Sequence, residues 1–228
     1  MSVYMDPFEY PKSISPQELD DYLKIGWYRM GQAIFTTDSI KDNFNEYPVF
    51  WLRIHLPELT TSKTHEKIYK ANKHFKVTIK PLDITDEMEY LNEQYWLSTI
   101  IGSPFLRDAL LEGAENSIYS SYAIEIRDGN RLIAVGIFDD GLVSIAGIIN
   151  FYDPAYKKYS LGKYLMLLKA QYAFSQGKTW YYPGYIIQGY PKFDYKLFVD
   201  RDASEIYIKS TDEWIRFNTI VWEHGNEL

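Results

Sequence analysis

The chain has no cysteine. That excludes disulfides, thiolate metal sites, iron–sulfur clusters and a cysteine nucleophile. Histidine is scarce. His55, His65, His74 and His224 stand in no metal-ligand spacing, so each reads as a surface or helix residue, and neither a metal nor a cofactor is expected. No apolar run is long enough to span a bilayer, and no apolar targeting segment follows Met1. The expectation is a cytoplasmic protein with no membrane partner. Internal repeats and low-complexity segments are also missing.

What is present is aromatic and acidic. Hydrophobic residues make up 46% of 228, enough for a substantial core and against extensive disorder. There are 21 tyrosines, whose apolar ring and hydroxyl suit half-buried cleft walls. Net charge is −7, which argues against broad nucleic-acid binding. The lysines are nonetheless clustered. Lys63, Lys67, Lys70, Lys73, Lys76 and Lys80 face Glu66 alone, and Lys157, Lys158, Lys163 and Lys169 form a second group. Such a surface either neutralises phosphates or is simply solvated.

The chain is organised around residues 151–197. An apolar run, Leu142 to Phe151, reads as a buried strand that Asp153-Pro154 breaks. Ser160 reads as a helix N-cap. Leu161, Tyr164, Leu165, Leu168 and Tyr172 recur at helical spacing as one apolar face, and Gly177 ends the helix. Thr179 to Tyr182 is a second strand. This strand–loop–helix–strand unit points a helix N-terminus, with its unpaired N–H groups, at a cleft. Gly162 in the first turn lets a ligand approach the backbone, or is an ordinary helical glycine.

Elsewhere, Met1 to Ser13 reads as an extended arm. Ser15-Pro16-Gln17-Glu18 starts a helix that Gly26 stops. Trp27 to Phe35 is a strand interrupted near Gly31, and Tyr47 to Leu56 is another strand. A helix capped at Thr61 or Ser62 runs to about Asn72. Phe75 to Ile79 is a strand, and a helix from Thr85 reaches toward Ile100, with a short one ending at Leu111. Tyr119–Ile126, Arg131–Phe138 and Leu142–Phe151 form a meander with hairpin turns at Asp128-Gly129-Asn130 and Asp139-Asp140-Gly141. Short strands fall at Ile206–Ile208 and Trp214–Trp222. Helix, meander, strand–helix–strand is the order of a GNAT-type acyltransferase core. The expected fold class is α+β, a mixed sheet flanked by helices, with a small N-terminal subdomain at 1–74 and the transferase domain at 75–228.

Several short pieces together resemble one family. They are Tyr152-Asp153-Pro154, Ser160-Leu161-Gly162 with Tyr164, Tyr181-Tyr182 with Gly184-Tyr185 and Ile187, and Lys192 with Tyr195-Lys196. In order and spacing they resemble the C-terminal domain of arginyl-tRNA–protein transferases and bacterial leucyltransferases of the N-end rule pathway. Gly26-Trp27-Tyr28-Arg29-Met30-Gly31-Gln32 resembles the N-terminal domain of the same enzymes. The segment from Ser62-Lys63 to Ala71-Asn72 resembles their basic segment, with lysines in place of most arginines and Ala71 where arginine is usual. In place of the family's Cys-x-x-Cys stands Thr36-Thr37-Asp38-Ser39.

The resemblance implies a GNAT-like core whose donor is aminoacyl-tRNA and whose acceptor is a protein N-terminus. It needs no covalent intermediate. Asp153, Tyr185 and Tyr195 are then expected at the attacking amine or the ribose. Ser160, Gly162, Tyr182, Gly184, Lys192 and Lys196 are expected to bind substrate, the two lysines holding the terminal phosphate. Lys63, Lys67, Lys70 and Lys73 are expected to bind tRNA. A GNAT acyl-CoA transferase is a second reading. Its phosphate loop would align with Lys157-x-x-Ser160-x-Gly162, where serine replaces one glycine. A catalytically silent binding module on the same fold is a third.

Overall fold

The computed structural model describes residues 7–42, 45–99 and 102–222. In chain order the elements are β1 (Phe8–Glu9), α1 (Pro16–Lys24), β2 (Tyr28–Met30), β3 (Ala33–Phe35), β4 (Ser39–Asp42) and β5 (Asn45–His55). Then come α2 (Lys63–Asn72), β6 (Lys76–Pro81), α3 (Asp86–Thr99), α4 (Leu106–Leu111), β7 (Ser121–Asp128), β8 (Arg131–Asp140) and β9 (Ser144–Tyr152). The chain closes with α5 (Leu161–Ser175), β10 (Trp180–Ile187), β11 (Ser204–Ile208) and β12 (Glu213–Arg216). Residues 1–6 of the expected arm and Ile100 lie outside the described residues.

The architecture is α+β, a large mixed sheet flanked by helices. Its strand order is β12-β11-β5-β10-β9-β8-β7-β6, with β4 paired to β5 off that path. All neighbours are antiparallel except β9 and β10, which are parallel because α5 crosses between them. The helix–meander–strand–helix–strand order expected from the sequence is present. Residues before 75 contribute β5, in the middle of the sheet, and a separate three-stranded sheet ordered β1-β3-β2.

Alternating side chains explain the layers. Ile124 and Ile126 of β7 and Phe138 of β8 join α5 through Leu165 and Leu168 on one face. Ala123, Val135 and Ile137 join Met88 and Leu91 of α3 and Leu106 and Leu110 of α4 on the other. The helix expected to carry one apolar face, α5, is buried around most of its circumference, Met166, Leu167 and Ala170 included. It sits beneath the sheet with α2 against it, so no solvated face remains along most of its length.

The strand expected to end at Tyr182 runs on to Ile187, because it changes partners rather than stopping. β9 and β10 pair only at Ser144–Ala146 against Trp180–Tyr182. Beyond that point they diverge, for reasons written in both strands. In β10 the register with β5 shifts between Tyr181 and Gly184. Pro183 has no N–H to give either neighbour, and Gly184 has φ +100°, which a side chain disfavours. In β9, Ile148 is the extra residue between the pairs Phe138–Gly147 and Ile137–Ile149.

The N-terminal Gly-Trp-Tyr-Arg-Met-Gly-Gln segment docks on this opening. The strand expected across it is a hairpin, β2 and β3, turning at Gly31-Gln32. Tyr28 Oη lies 2.7 Å from the Gly147 carbonyl oxygen and 2.8 Å from that of Tyr182, the carbonyls at the point of divergence. Arg29 is buried against Asp139 of β8 at 2.9 Å, with side-chain exposures of 1% and 0%. Its guanidinium also donates to Ser121 Oγ (3.1 Å), Leu110 O (2.8 Å) and Gly31 O (2.8 Å), and lies over the Tyr119 ring. Removing one partner strands a buried charge, at a cost of about 3–5 kcal/mol. Arg29→Met should therefore lose stability of that order in urea unfolding. Arg29→Met with Asp139→Leu should recover most of it. Equal losses in the single and double variants would contradict this role for the pair.

Candidate active site

The divergence of β9 and β10 opens a cavity of about 760 Å³. Its walls are the separated strands, the first turn of α5, and a 3-10 segment at Pro191–Phe198. The aromatic part is built on Tyr28. Trp51 of β5 stacks on it at 5.3 Å, Tyr185 stands edge-on to Trp51 at 5.3 Å, and Phe193 stacks on Tyr185 at 5.6 Å. Gly147 leaves room for buried Tyr181 beside it, since a Cβ there would sit 2.9 Å from the Tyr181 hydroxyl.

Most residues expected at the site are gathered here. Ser160, Gly162, Gly184, Tyr185, Lys192, Tyr195 and Lys196 all line the cavity. Ser160 holds the N-cap position, but its hydroxyl makes no cap bond, because φ +54° turns the residue left-handed. It thus takes up the backbone shape a glycine would give at that point of a phosphate loop. The first intrahelical bond runs from Tyr164 N to Ser160 O, leaving the N–H groups of Leu161, Gly162 and Lys163 ahead of it. A Cβ on Gly162 would merely touch the Tyr152 ring at 3.4 Å, so packing does not require that glycine.

Others lie outside the wall. Tyr182 is buried behind it with its ring against Trp214. Asp153 caps the 3-10 turn at Pro154–Tyr159 by accepting from Ala155 N at 2.9 Å, and it pairs with Arg131. Lys63, Lys67, Lys70 and Lys73 are exposed on and just after α2. The end of α2 meets the approach to α5, since Asn72 Nδ2 donates to Tyr159 O at 3.0 Å. Of the second lysine cluster, Lys169 is not on the surface at all.

Lys169 is 1% exposed, and its Nζ donates to Ile137 O at 2.7 Å and Ile149 O at 3.2 Å, across the bulge in β9. Burial pushes its ammonium down to about 7, against the pull of Asp139 behind it. Burial likewise holds Lys196 at about 7. It raises the Tyr185 phenol, which keeps that hydroxyl protonated as a donor. Sequence reasoning missed Tyr28, Trp51 and Lys169 as wall residues. The signal for Lys169 was a lysine inside an otherwise apolar helical run.

Among the described residues the wall carries six cationic side chains, Arg29, Lys157, Lys163, Lys169, Lys192 and Lys196, and no carboxylate. The comparison with known families then decides the grouping. The model of the arginine-tRNA-protein transferase C-terminus matches residues 64–200, more than half of the chain, from α2 to the 3-10 segment at Pro191–Phe198. The chain belongs to that family.

Curated relatives include bacterial proteins. An aspartate/glutamate leucyltransferase of Leptospira interrogans is 24% identical over 91% of this chain and 82% of its own length. One from Campylobacter jejuni is 26% identical over 95% and 90%. Among solved structures, the C-terminal domain of a putative lysylphosphatidylglycerol synthetase from Agrobacterium fabrum overlaps 60% of this chain and 47% of its own. Its TM-score is 0.46 and its identity 10%.

The family resemblance brings a cysteine-held metal or cluster into question near Thr36-Thr37. The residues present do not fit one. Thr36 Oγ1 donates to Gly26 O at 2.7 Å and Thr37 Oγ1 to Ser39 O at 2.8 Å, so both hydroxyls are spent on the chain itself. Thr36 N also donates to Pro7 O. This part of the chain is closed there by hydrogen bonds between its own segments.

The buried lysine makes stability depend on pH with a definite sign. Lys169 falls from an ordinary value near 10.4 in the unfolded chain to about 7 when folded. Between those values the unfolded chain holds a proton the folded one lacks, so stability rises with pH by up to about 1.4 kcal/mol per unit. The gain is lost as pH falls from about 10.4 to about 7, and below that the contribution is flat. Urea unfolding at neutral and mildly alkaline pH should show that slope together with the like contribution of Lys196, and Lys169→Met should remove its own share, making the slope shallower. An unchanged slope in the variant would contradict the assignment.

Proposed function

We propose that this protein transfers leucine or arginine from charged tRNA to the α-amine of a protein N-terminus. Aspartate and glutamate are the acceptors named for its leucyltransferase relatives. The observation that carries this reading is the cavity itself, whose described wall holds basic side chains and no acidic one in a chain of net charge −7. Both the phosphates of a tRNA end and an acidic first residue are drawn to such a site. A cytoplasmic setting, where charged tRNA is available, goes with it. No helix among the described residues is long and apolar enough to cross a membrane.

The reaction asks little covalent chemistry of the protein. An α-amine has an ordinary pKa of about 7.7–8.0, so much of it is nucleophilic near neutral pH. Its nitrogen attacks the activated ester carbonyl. The C–N bond forms, the C–O bond to the ribose breaks, and the proton lost by nitrogen ends on the ribose hydroxyl. The site must orient the partners and support the tetrahedral oxyanion. The free N–H groups at the start of α5, beside Ser160 and Gly162, suit the oxyanion or a phosphate. Tyr185, protonated and set in the aromatic wall, suits the ribose or the amine, and half-exposed Tyr195 suits the mouth. Lys157, Lys163 and Lys192 are exposed at the rim and suit the terminal phosphate.

Lys63, Lys67, Lys70 and Lys73 continue this surface along α2, which abuts the turn before Ser160. Lysine supplies charge without the bidentate fork of arginine, so their part is electrostatic attraction. Replacing all four with alanine should weaken binding of charged tRNA and flatten its salt dependence by roughly three units in log K against log salt. The direct test is transfer of labelled leucine or arginine from charged tRNA to peptides beginning with Asp or Glu, with acetyl-CoA as the competing donor. Transfer from tRNA alone is expected. Transfer from acetyl-CoA alone would replace this reading with the acyl-CoA one.

A further inference from the structure

The six cations of the cavity are not equivalent. Arg29 is matched by Asp139. Lys169 spends its donors on two strand carbonyls. Lys157, Lys163 and Lys192 reach water. Lys196 differs from all of these. It is 9% exposed, its Nζ donates to Tyr185 O at 2.6 Å, and it lies over the Tyr185 and Phe193 rings at 4.7 and 5.0 Å. Among the described residues no carboxylate lies within ion-pairing distance of it.

A buried ammonium without a counter-ion is costly, and ring faces offset only part of that cost. The arrangement becomes favourable when an anion enters. The way in is free of side chain on one side, because Gly184 faces the amine. A Cβ there would stand 3.2 Å from Nζ, and φ +100° keeps the position glycine-like. A tRNA phosphate is tied to sugars on both sides and is best met at the open rim, where three lysines already stand. A compact carboxylate on a short side chain fits the sheltered amine better. The expectation that Lys196 joins Lys192 on the terminal phosphate is revised on this ground, since one is buried and the other exposed.

We infer that Lys196 is the residue that selects the acceptor, its ammonium pairing with the side-chain carboxylate of an N-terminal aspartate or glutamate. The Tyr185 carbonyl and the Tyr185 and Phe193 rings hold the amine in place for that contact. The inference rests on the transfer reading above and adds to it the group that distinguishes acidic from neutral acceptors. A charge pair formed in a sheltered site discriminates between Asp and its uncharged isostere Asn by about 100-fold in kcat/KM.

The pairing also gives a pH signature. Burial holds the free amine near about 7, and only its charged form pairs. The groups around it are Tyr185 of β10 and Lys192, Asp194 and Tyr195 of its own segment. Preference for Asp over Asn peptides should therefore decline as pH rises above about 7. The Asn peptide cancels the titration of the attacking amine, which both peptides share.

The experiment compares leucine transfer from charged tRNA to otherwise identical peptides beginning with Asp, Asn, Glu or Gln. It uses wild type, Lys196→Met and Lys196→Arg, each checked by thermal melting. Lys196→Met should bring the Asp-to-Asn ratio of kcat/KM from about 100 toward 1, and Lys196→Arg, which keeps the charge, should retain most of it. A ratio unchanged in Lys196→Met would overturn the inference. So would an equal fall in kcat for both peptides, which marks a proton-transfer role instead. Should Lys196→Met fail to fold, a wild-type ratio that stays flat from about pH 6 to 9 overturns it equally well. Absence of transfer by wild type to any peptide would instead bring down the transferase reading, and this inference with it.

Discussion

One hydroxyl proton serves two strands. Where β9 and β10 part, Tyr28 Oη stands within hydrogen-bonding distance of the Gly147 and Tyr182 carbonyl oxygens. A phenol has a single proton to donate, so the two oxygens share it. Burial raises the phenol far above its ordinary pKa, which keeps that proton in place at any working pH. Without it the two strands would lose the hydrogen bond that ties them at this point, and a buried carbonyl left without a donor costs about 1–3 kcal/mol. The cavity, the aromatic stack on Trp51 and the exposure of the α5 terminus all follow from strands that stay apart.

This places the N-terminal hairpin in the site rather than beside it. Tyr28 fills the opening, and Arg29, the next residue, anchors the hairpin through Asp139, Ser121 and Leu110. Gln32 adds a bond to Leu110 O and accepts one from Ile118 N at 3.0 Å. The family resemblance implies cysteines after this turn, and this chain has none. Here Thr36 and Thr37 and the buried Arg29 pair hold the same segment against the core. The loss of cysteine chemistry therefore leaves the geometry of the cavity standing.

Much of this was legible in the chain. Proline, glycine and capping residues marked element ends closely, as at Ser15-Pro16, where the side chains of Ser15 and Glu18 cap reciprocally. The meander and the crossover followed from alternation and from the Asp128-Gly129-Asn130 turn. What stayed hidden depends on distant partners. Pro183-Gly184 reads as the end of a strand, yet it is a bend inside one, because β5 lies alongside to carry the strand on. Ser160 reads as a cap by residue type, but its left-handed φ takes the hydroxyl away from the helix. Lys196 and Lys192 look alike in sequence and are separated only by burial. Tyr28 could be matched to a family segment, but no local pattern says that its hydroxyl reaches residues more than a hundred positions away.

The central claim is that the Tyr28 hydroxyl keeps the strands apart for catalysis. It is tested most directly by Tyr28→Phe, which removes one oxygen and keeps the ring on Trp51. Stability and leucine transfer should be measured on the same preparation. The account predicts a folded protein, weaker by about 1–3 kcal/mol, whose kcat/KM for transfer falls at least about tenfold as the opening closes or misaligns. Transfer at the wild-type rate in a folded Tyr28→Phe protein would contradict it.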